Sequence, residues 1–221
     1  MKKLMIILCM VGLIDRTYAQ KNYYLSPVNI DNSVTVSLPK EVTKNKTQGS
    51  EAFAANGTYG AMVVVRSTNP ATAKTVKNTD GLDHVFEDYI KKVQTSSGKG
   101  TIVDDHDITI GKLAAREFTL QIDTGSGLQL RHFRLIYTKA TTYAFEYLYD
   151  DFRKDEAIGE MNAFFGSIKT DADLDRADQY VVTSQTDHSI FTKIILFGLI
   201  PLALIIGIVT FFRRRTTMTL S

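Results

Sequence analysis

The chain has 221 residues, with 26 Lys and Arg against 24 Asp and Glu, a formal net charge of +2 and one cysteine. Seven of the basic residues (Lys2, Lys3, Arg16, Lys193, Arg213, Arg214, Arg215) and one acid (Asp15) lie at the ends, so residues 20–192 hold 19 basic against 23 acidic side chains, a net of −4. That weakly acidic body argues against nucleic acid, whose binding depends on neutralising phosphates, and the single Cys9, in a segment expected to be removed, leaves the rest without disulfides, thiolate metal sites or a cysteine nucleophile.

Lys2 and Lys3 precede an apolar run from Leu4 to Ile14 that is too short to cross a bilayer, and Thr17-Tyr18-Ala19 places a small residue before Gln20. This pattern predicts a signal peptide over residues 1–19. Leu8, directly before Cys9, is bulky where a lipoprotein signal needs Gly or Ala, which argues against lipidation.

Residues 20–39 read as an opening strand in which Val34, Val36 and Leu38 alternate before Pro39, and the lysine-rich stretch 40–50 reads as a loop. Residues 51–67 read as a hairpin turned at Asn56-Gly57, with Tyr59 to Val65 apolar enough for a central strand. Asn45-Lys46-Thr47 and Asn56-Gly57-Thr58 are glycosylation sequons, meaningful only in a host that glycosylates asparagine. Leu82, Val85, Phe86, Tyr89, Ile90 and Val93 recur at helical spacing after a capping Asp80, and Ser97-Gly98 ends the run. A meander follows over 101–110, 113–122, 128–138 and 142–149, with Asp123 to Gly127 as one of its turns. Residues 155–168 predict a second helix with Ile158, Met161, Phe165 and Ile168 on one stripe. The acidic, polar residues 170–193 read as a tether.

Residues 194–212, from Ile194 to Phe212, carry no charge and as a helix would reach roughly 28 Å, close to the hydrocarbon thickness of a bilayer. Arg213, Arg214 and Arg215 follow at once. By the positive-inside rule residues 213–221 form a cytoplasmic tail, and a cleaved signal places the N-terminal domain outside, so both ends predict one topology in the cell membrane. Ala203 and Gly207 are spaced for weak self-association of such helices, and Pro201 for a kink. A cleaved sorting signal is the other reading of this tail, but no LPxTG-like motif lies between Thr170 and Lys193.

The order of elements predicts an α+β fold, an antiparallel sheet with packed helices, over residues 20–169. The succession VTVSLPKE, YGAMVVVRS, GLDHVFEDYIKKV, ITIGKLAAREFTLQ, RHFRLIYTK, TTYAFEYLYD and AIGEMNAFFGSIK resembles the Mog1/PsbP-like α/β/α sandwich family, its exported bacterial members in particular, over about residues 33–169. The most family-like phrases run from Ile110 to Phe118 (IGKLAAREF) and from Phe164 to Lys169 (FFGSIK). The resemblance implies a binding, scaffolding or chaperone-like module without shared catalytic residues, and hence an interaction partner that is another envelope protein.

Catalytic readings find little to hold them. Asp123-Thr124-Gly125-Ser126 matches the loop of an aspartic protease, whose chemistry needs two such aspartates; this chain has one copy, so a hydrolase would have to be a dimer acting through Asp123. The same residues suit a hairpin turn. Asp104-Asp105-His106-Asp107 lacks the alternate spacing and glycine of a calcium loop and reads as a solvated turn, and the histidines at 84, 106, 132 and 188 have no zinc-like spacing. No cofactor is implied. Tyr143, Phe145 and Tyr147, with Tyr149, share one strand face and, with Phe133 and Tyr137 on the neighbouring strand, either cover a helix or line a small-ligand groove; Arg131 and Arg134 beside them offer charge to a partner.

Overall fold

Alternating Val34, Val36 and Leu38 do form a buried strand face, but they belong to the second of two short strands. The computed structural model describes residues 23–71, 75–98 and 100–181. Strands β1 (Leu25–Asn29) and β2 (Val34–Pro39) pair antiparallel, so the single opening strand expected over 20–39 is a hairpin. The reversal is made at Asp31, whose carboxylate accepts from the backbone N–H of Ser33 (2.8 Å) and of Val34 (3.0 Å), a side-chain substitute for a backbone turn.

The stretch expected as a loop over 40–50 contains β3 (Thr43–Thr47), every residue exposed, at the edge of the main sheet. A polar strand is stable there because only one backbone edge needs pairing and the lysines keep the other from recruiting strands. Lys44 also pairs with Glu51 at 3.0 Å and lies over the Phe53 ring. Then β4 (Ser50–Asn56) and β5 (Ala61–Thr68) form the expected hairpin. Its connection spans Gly57 to Gly60, and the Gly57 N–H donates to the Gly60 carbonyl at 2.8 Å.

The cap of helix α1 (Thr79–Ser96) lies two residues earlier than expected: Asn78 is the cap, accepting from the Gly81 N–H at 3.0 Å, while Asp80 sits in the first turn where its charge meets the positive helix end. The meander is β6 (Thr101–Ile110), β7 (Leu113–Asp123), β8 (Leu128–Tyr137) and β9 (Thr141–Asp150). The main sheet runs β3-β4-β5-β9-β8-β7-β6, all antiparallel. Helix α1 therefore carries the chain across one face, from β5 in the middle to β6 at the far edge, and the meander returns to β5.

Asp104 to Asp107, expected as a turn, lie within β6, where the register shifts between Val103 and His106 and Asp104 takes φ +53°. Arg116 on β7 bonds Asp105 (2.5 Å) and Asp107 (2.6 Å), so the acidic run is held as a bulged edge strand.

Helix α2 (Lys154–Gly166), after a 3-10 turn at Asp151–Arg153, covers the opposite face. Its buried side is Ala157, Glu160, Phe164 and Phe165; of the expected stripe Phe165 and Ile168 are buried and Met161 packs against the core, whereas Ile158 is 41% exposed. Glu160 is buried on this side as well because it finds hydrogen-bond partners there. A short β10 (Lys169–Thr170) joins β2, giving a second sheet in the order β1-β2-β10.

Residues 170–181, read as the start of the tether, fold onto the domain. Gln179 is 0% exposed; its Oε1 accepts from the Ala114 N–H (2.8 Å) and its Nε2 donates to the carbonyls of Ala114 (2.7 Å) and Tyr137 (2.9 Å). The core thus has two parts. One packs β1, β2, α2 and the β9 row of Tyr143, Phe145, Tyr147 and Tyr149; the other packs Leu82, Phe86 and Ile90 of α1 against Phe118, Leu120, Phe133, Leu135 and Tyr137. The fold is α+β with antiparallel sheets, as expected. Among the described residues no helix is long and apolar enough to cross a membrane; the expected signal peptide (1–19), the span (194–212, with Pro201, Ala203 and Gly207), the tail (213–221) and residues 182–193 of the tether lie outside the described residues.

Candidate functional site

The β1–β2 turn, the end of β5, the β8–β9 turn and the C-terminal segment converge on a cleft of about 410 Å³, lined by Asp31, Asn32, Ser33, Arg66, Lys139, Tyr143 and Asp178 among others. Strand alternation delivers its floor. Met62 and Val64 of β5 face the core, so Arg66 two residues on points to the same side, opposite Tyr143 of β9. There Asp31 Oδ2 accepts from Arg66 Nε (2.8 Å) and from the Tyr143 hydroxyl (2.6 Å). With the two turn amides on Oδ1, the Asp31 carboxylate takes four donors.

Burial pushes the Asp31 carboxyl up, but the Tyr143 hydroxyl, the Ser33 amide and the Arg66 guanidinium together outweigh it and hold the group below the ordinary carboxylate range. Asp31 in turn holds Arg66 more firmly protonated, chiefly through their hydrogen bond against the opposing effect of burial. Tyr143 is pushed well above the ordinary phenol range by burial and by the Asp31 carboxylate it donates to. At neutral pH the floor is thus Asp⁻, Arg⁺ and neutral Tyr. None of the three is poised to exchange a proton near pH 7, so the arrangement suits holding a ligand rather than acid–base chemistry.

A second polar cluster ties α2 to the β4–β5 connection. Glu160, 2% exposed, accepts from the N–H of Thr58 (2.8 Å) and of Tyr59 (3.0 Å) and from the Tyr147 hydroxyl (2.7 Å). Gly57 lets the connection approach closely, since a Cβ there would lie 2.6 Å from a carboxylate oxygen of Glu160 and displace it from its donors. A third links Thr119, His132 and Tyr149: Thr119 Oγ1 lies 2.9 Å from His132 Nδ1 and Tyr149 Oη 3.1 Å from Nε2, with the two rings stacked.

The residues singled out from sequence do not gather into one face. Tyr143, Phe145 and Tyr147 are core, packed toward α2, whereas Phe133 and Tyr137 lie in the other core layer beneath α1. Arg131 pairs with Glu146 (2.5 Å), bonds Ser97 (3.0 Å) and lies over Phe133 on the α1 side. Arg134 pairs with Glu117 (2.5 Å) and lies over Phe165 on the α2 side. An odd spacing along a strand puts the two arginines on opposite faces. Only Tyr143 reaches the cleft. Asp123 sits in an exposed hairpin turn, its Oδ1 accepting from the Gly125 N–H at 2.8 Å and Gly125 at φ +80°. No group of three or more His, Cys, Asp or Glu positioned for a metal occurs among the described residues.

Asp31 and Arg66 escaped the sequence reading, although both left a trace. An Asp-Asn-Ser run before an alternating strand marks a side-chain-capped turn, and Arg66 continues the inward series of Met62 and Val64.

No family description and no curated protein matches the chain. Among solved structures it is similar to a Pseudomonas aeruginosa protein of unknown function (12% identity, TM-score 0.37, covering 63% of this chain and 92% of that one). Another is a Bacteroides thetaiotaomicron protein (10%, 0.40, covering 70% and 50%). A third is LpqN of Mycobacterium tuberculosis, involved in cell envelope biogenesis (9%, 0.38, covering 69% and 94%). With TM-scores below 0.5, these likenesses transfer neither a fold family nor a function to this chain.

Proposed function

We propose that this chain is an exported, single-pass protein of the cell envelope whose folded domain is a non-catalytic interaction or assembly module for another envelope protein. The observation that carries the reading is the uncharged run from Ile194 to Phe212 with Arg213, Arg214 and Arg215 directly after it, matched at the other end by a basic, then apolar, leader. The domain lies outside the cytoplasm, the tail inside, and Ala203 and Gly207 give the span a face for weak self-association. Kinship with the Mog1/PsbP sandwiches belongs to the same proposal; it is supported by a central antiparallel sheet with α1 on one face and α2 on the other, in the order of the phrases that suggested it.

The binding role is supported by the chemistry of the cleft, where the Asp31 carboxylate has its hydrogen-bonding capacity occupied and its charge matched by Arg66. Photo-crosslinking from exposed positions of the full-length chain in native membranes tests this function. Recovery of one defined envelope protein is the expected result. Recovery of none, together with turnover of a substrate by the purified chain, contradicts it.

A further inference from the structure

From the donor–acceptor balance of the cleft we infer that it is a site for a small ligand bearing an oxyanion, a carboxylate or a phosphate, docked on the outer edge of the Arg66 guanidinium. This holds on whichever side of a membrane the domain lies. An arginine offers five N–H donors in a rigid fork. Arg66 spends its Nε on Asp31 at 2.8 Å, and among the described residues its terminal nitrogens have no protein acceptor, although the side chain is only 32% exposed. Asp31 cannot take more, since its two oxygens already receive Ser33 N, Val34 N, Arg66 Nε and Tyr143 Oη. The unspent capacity at the floor is therefore that of a donor fixed in orientation by the carboxylate behind it, the arrangement that pre-organises bidentate recognition of an oxyanion.

The rim adds the Lys139 ammonium, which donates once, to the Ala177 carbonyl at 2.7 Å, and keeps further protons to give. It also bounds the ligand. Asp178 lines the cleft, with Oδ2 accepting from the Asp175 N–H at 2.9 Å, so a polyanion meets a negative wall there. A volume of about 410 Å³ admits a ligand at the small end of the usual range.

The test is titration of the full-length chain, labelled with ¹⁵N-arginine and ¹⁵N-lysine in detergent, with acetate, with inorganic phosphate and with chloride at matched ionic strength. The expected result is a saturable shift of the Arg66 Nε–H and Lys139 amide signals with acetate, phosphate or both but not chloride, at Kd values on the order of millimolar. Acetate alone assigns a carboxylate ligand, phosphate alone a phosphate. Arg66→Lys, which keeps the charge but loses the fork, should weaken binding about tenfold. Lys139→Gln, which leaves every bond to Asp31 in place, should weaken it about threefold and serves if Arg66→Lys does not fold. Absence of saturable shifts up to about 50 mM, equal shifts at Arg131 and Arg134, or unchanged affinity in Lys139→Gln and in a folded Arg66→Lys would overturn the proposal.

Discussion

At the residue scale, Glu160 is a buried charge with three donors that was not legible in the sequence. In sequence it is one more acidic side chain on an amphipathic helix; its partners, Thr58 and Tyr59, lie 102 and 101 positions away, and no local pattern carries that distance. Buried and bonded by three donors, it should be costly to alter. Glu160→Gln replaces one accepting oxygen with an NH₂ and is expected to destabilise the domain by about 2–3 kcal/mol, against about 1 kcal/mol for Tyr147→Phe, which removes one of the three bonds; urea unfolding checks both. Asp31 supplies a pH signature. Its folded pKa is lowered, so its contribution is fully present above its unfolded value of about 3.9 and is lost as pH falls through the folded value. Asp31→Asn should be less stable than the parent at pH 6 and the gap should narrow toward pH 2 to 3, by urea midpoints measured across roughly that range. A gap that stays constant or widens in acid would contradict the assignment. His132 acts in the same direction: burial lowers its pKa despite the pull of Glu117 and Asp104, so protonation below about 6.5 opposes folding.

At the scale of elements, period-two alternation made the meander legible almost to the residue, because β7, β8 and β9 each present a buried face with few exceptions. The segments that were misread are polar ones whose order comes from elsewhere. The lysine-rich β3 takes its structure from β4, and residues 170–181 take theirs from backbone groups of β7 and β8 that Gln179 satisfies. A glutamine in an acidic stretch carries no sign that it will be buried. Gln179→Ala leaves the Ala114 N–H and the carbonyls of Ala114 and Tyr137 without that partner, and should cost about 2–3 kcal/mol, a fall in Tm of roughly 5–10 °C by calorimetry. Were the segment a mere tether, Tm would not move. The β4–β5 connection is similarly constrained, since a Cβ on Gly60 would lie 2.5 Å from the Leu148 carbonyl oxygen, which cannot swing aside. Gly60→Ala is expected to destabilise by at least about 2 kcal/mol in the same measurement.

At the scale of the whole molecule, the α+β class was legible because runs of strand and helix pattern alternate in a readable order, whereas the cleft was not. It is assembled from a turn near position 31, a strand end near 66, a turn near 139 and a segment near 178, and only the folded sheet brings these together. The aromatic row drew attention in sequence because large rings are conspicuous, yet Tyr143, Phe145 and Tyr147 are mostly needed to fill the space beneath α2. The weak acidity of residues 20–192 becomes meaningful only with the proposed topology, under which Arg213, Arg214 and Arg215 would face the other side of a membrane. That topology is the central claim. The chain offers a direct test, because Cys9 is its only cysteine and lies within the segment proposed to be removed as a signal. Single cysteines at Lys46→Cys, on the exposed edge strand, and at Ser221→Cys, in the tail, can be probed with a membrane-impermeant maleimide in intact spheroplasts and after lysis. The proposed topology predicts labelling of Lys46→Cys in intact spheroplasts and of Ser221→Cys only after lysis. Protection of Lys46→Cys until lysis, or labelling of Ser221→Cys from outside, would contradict it.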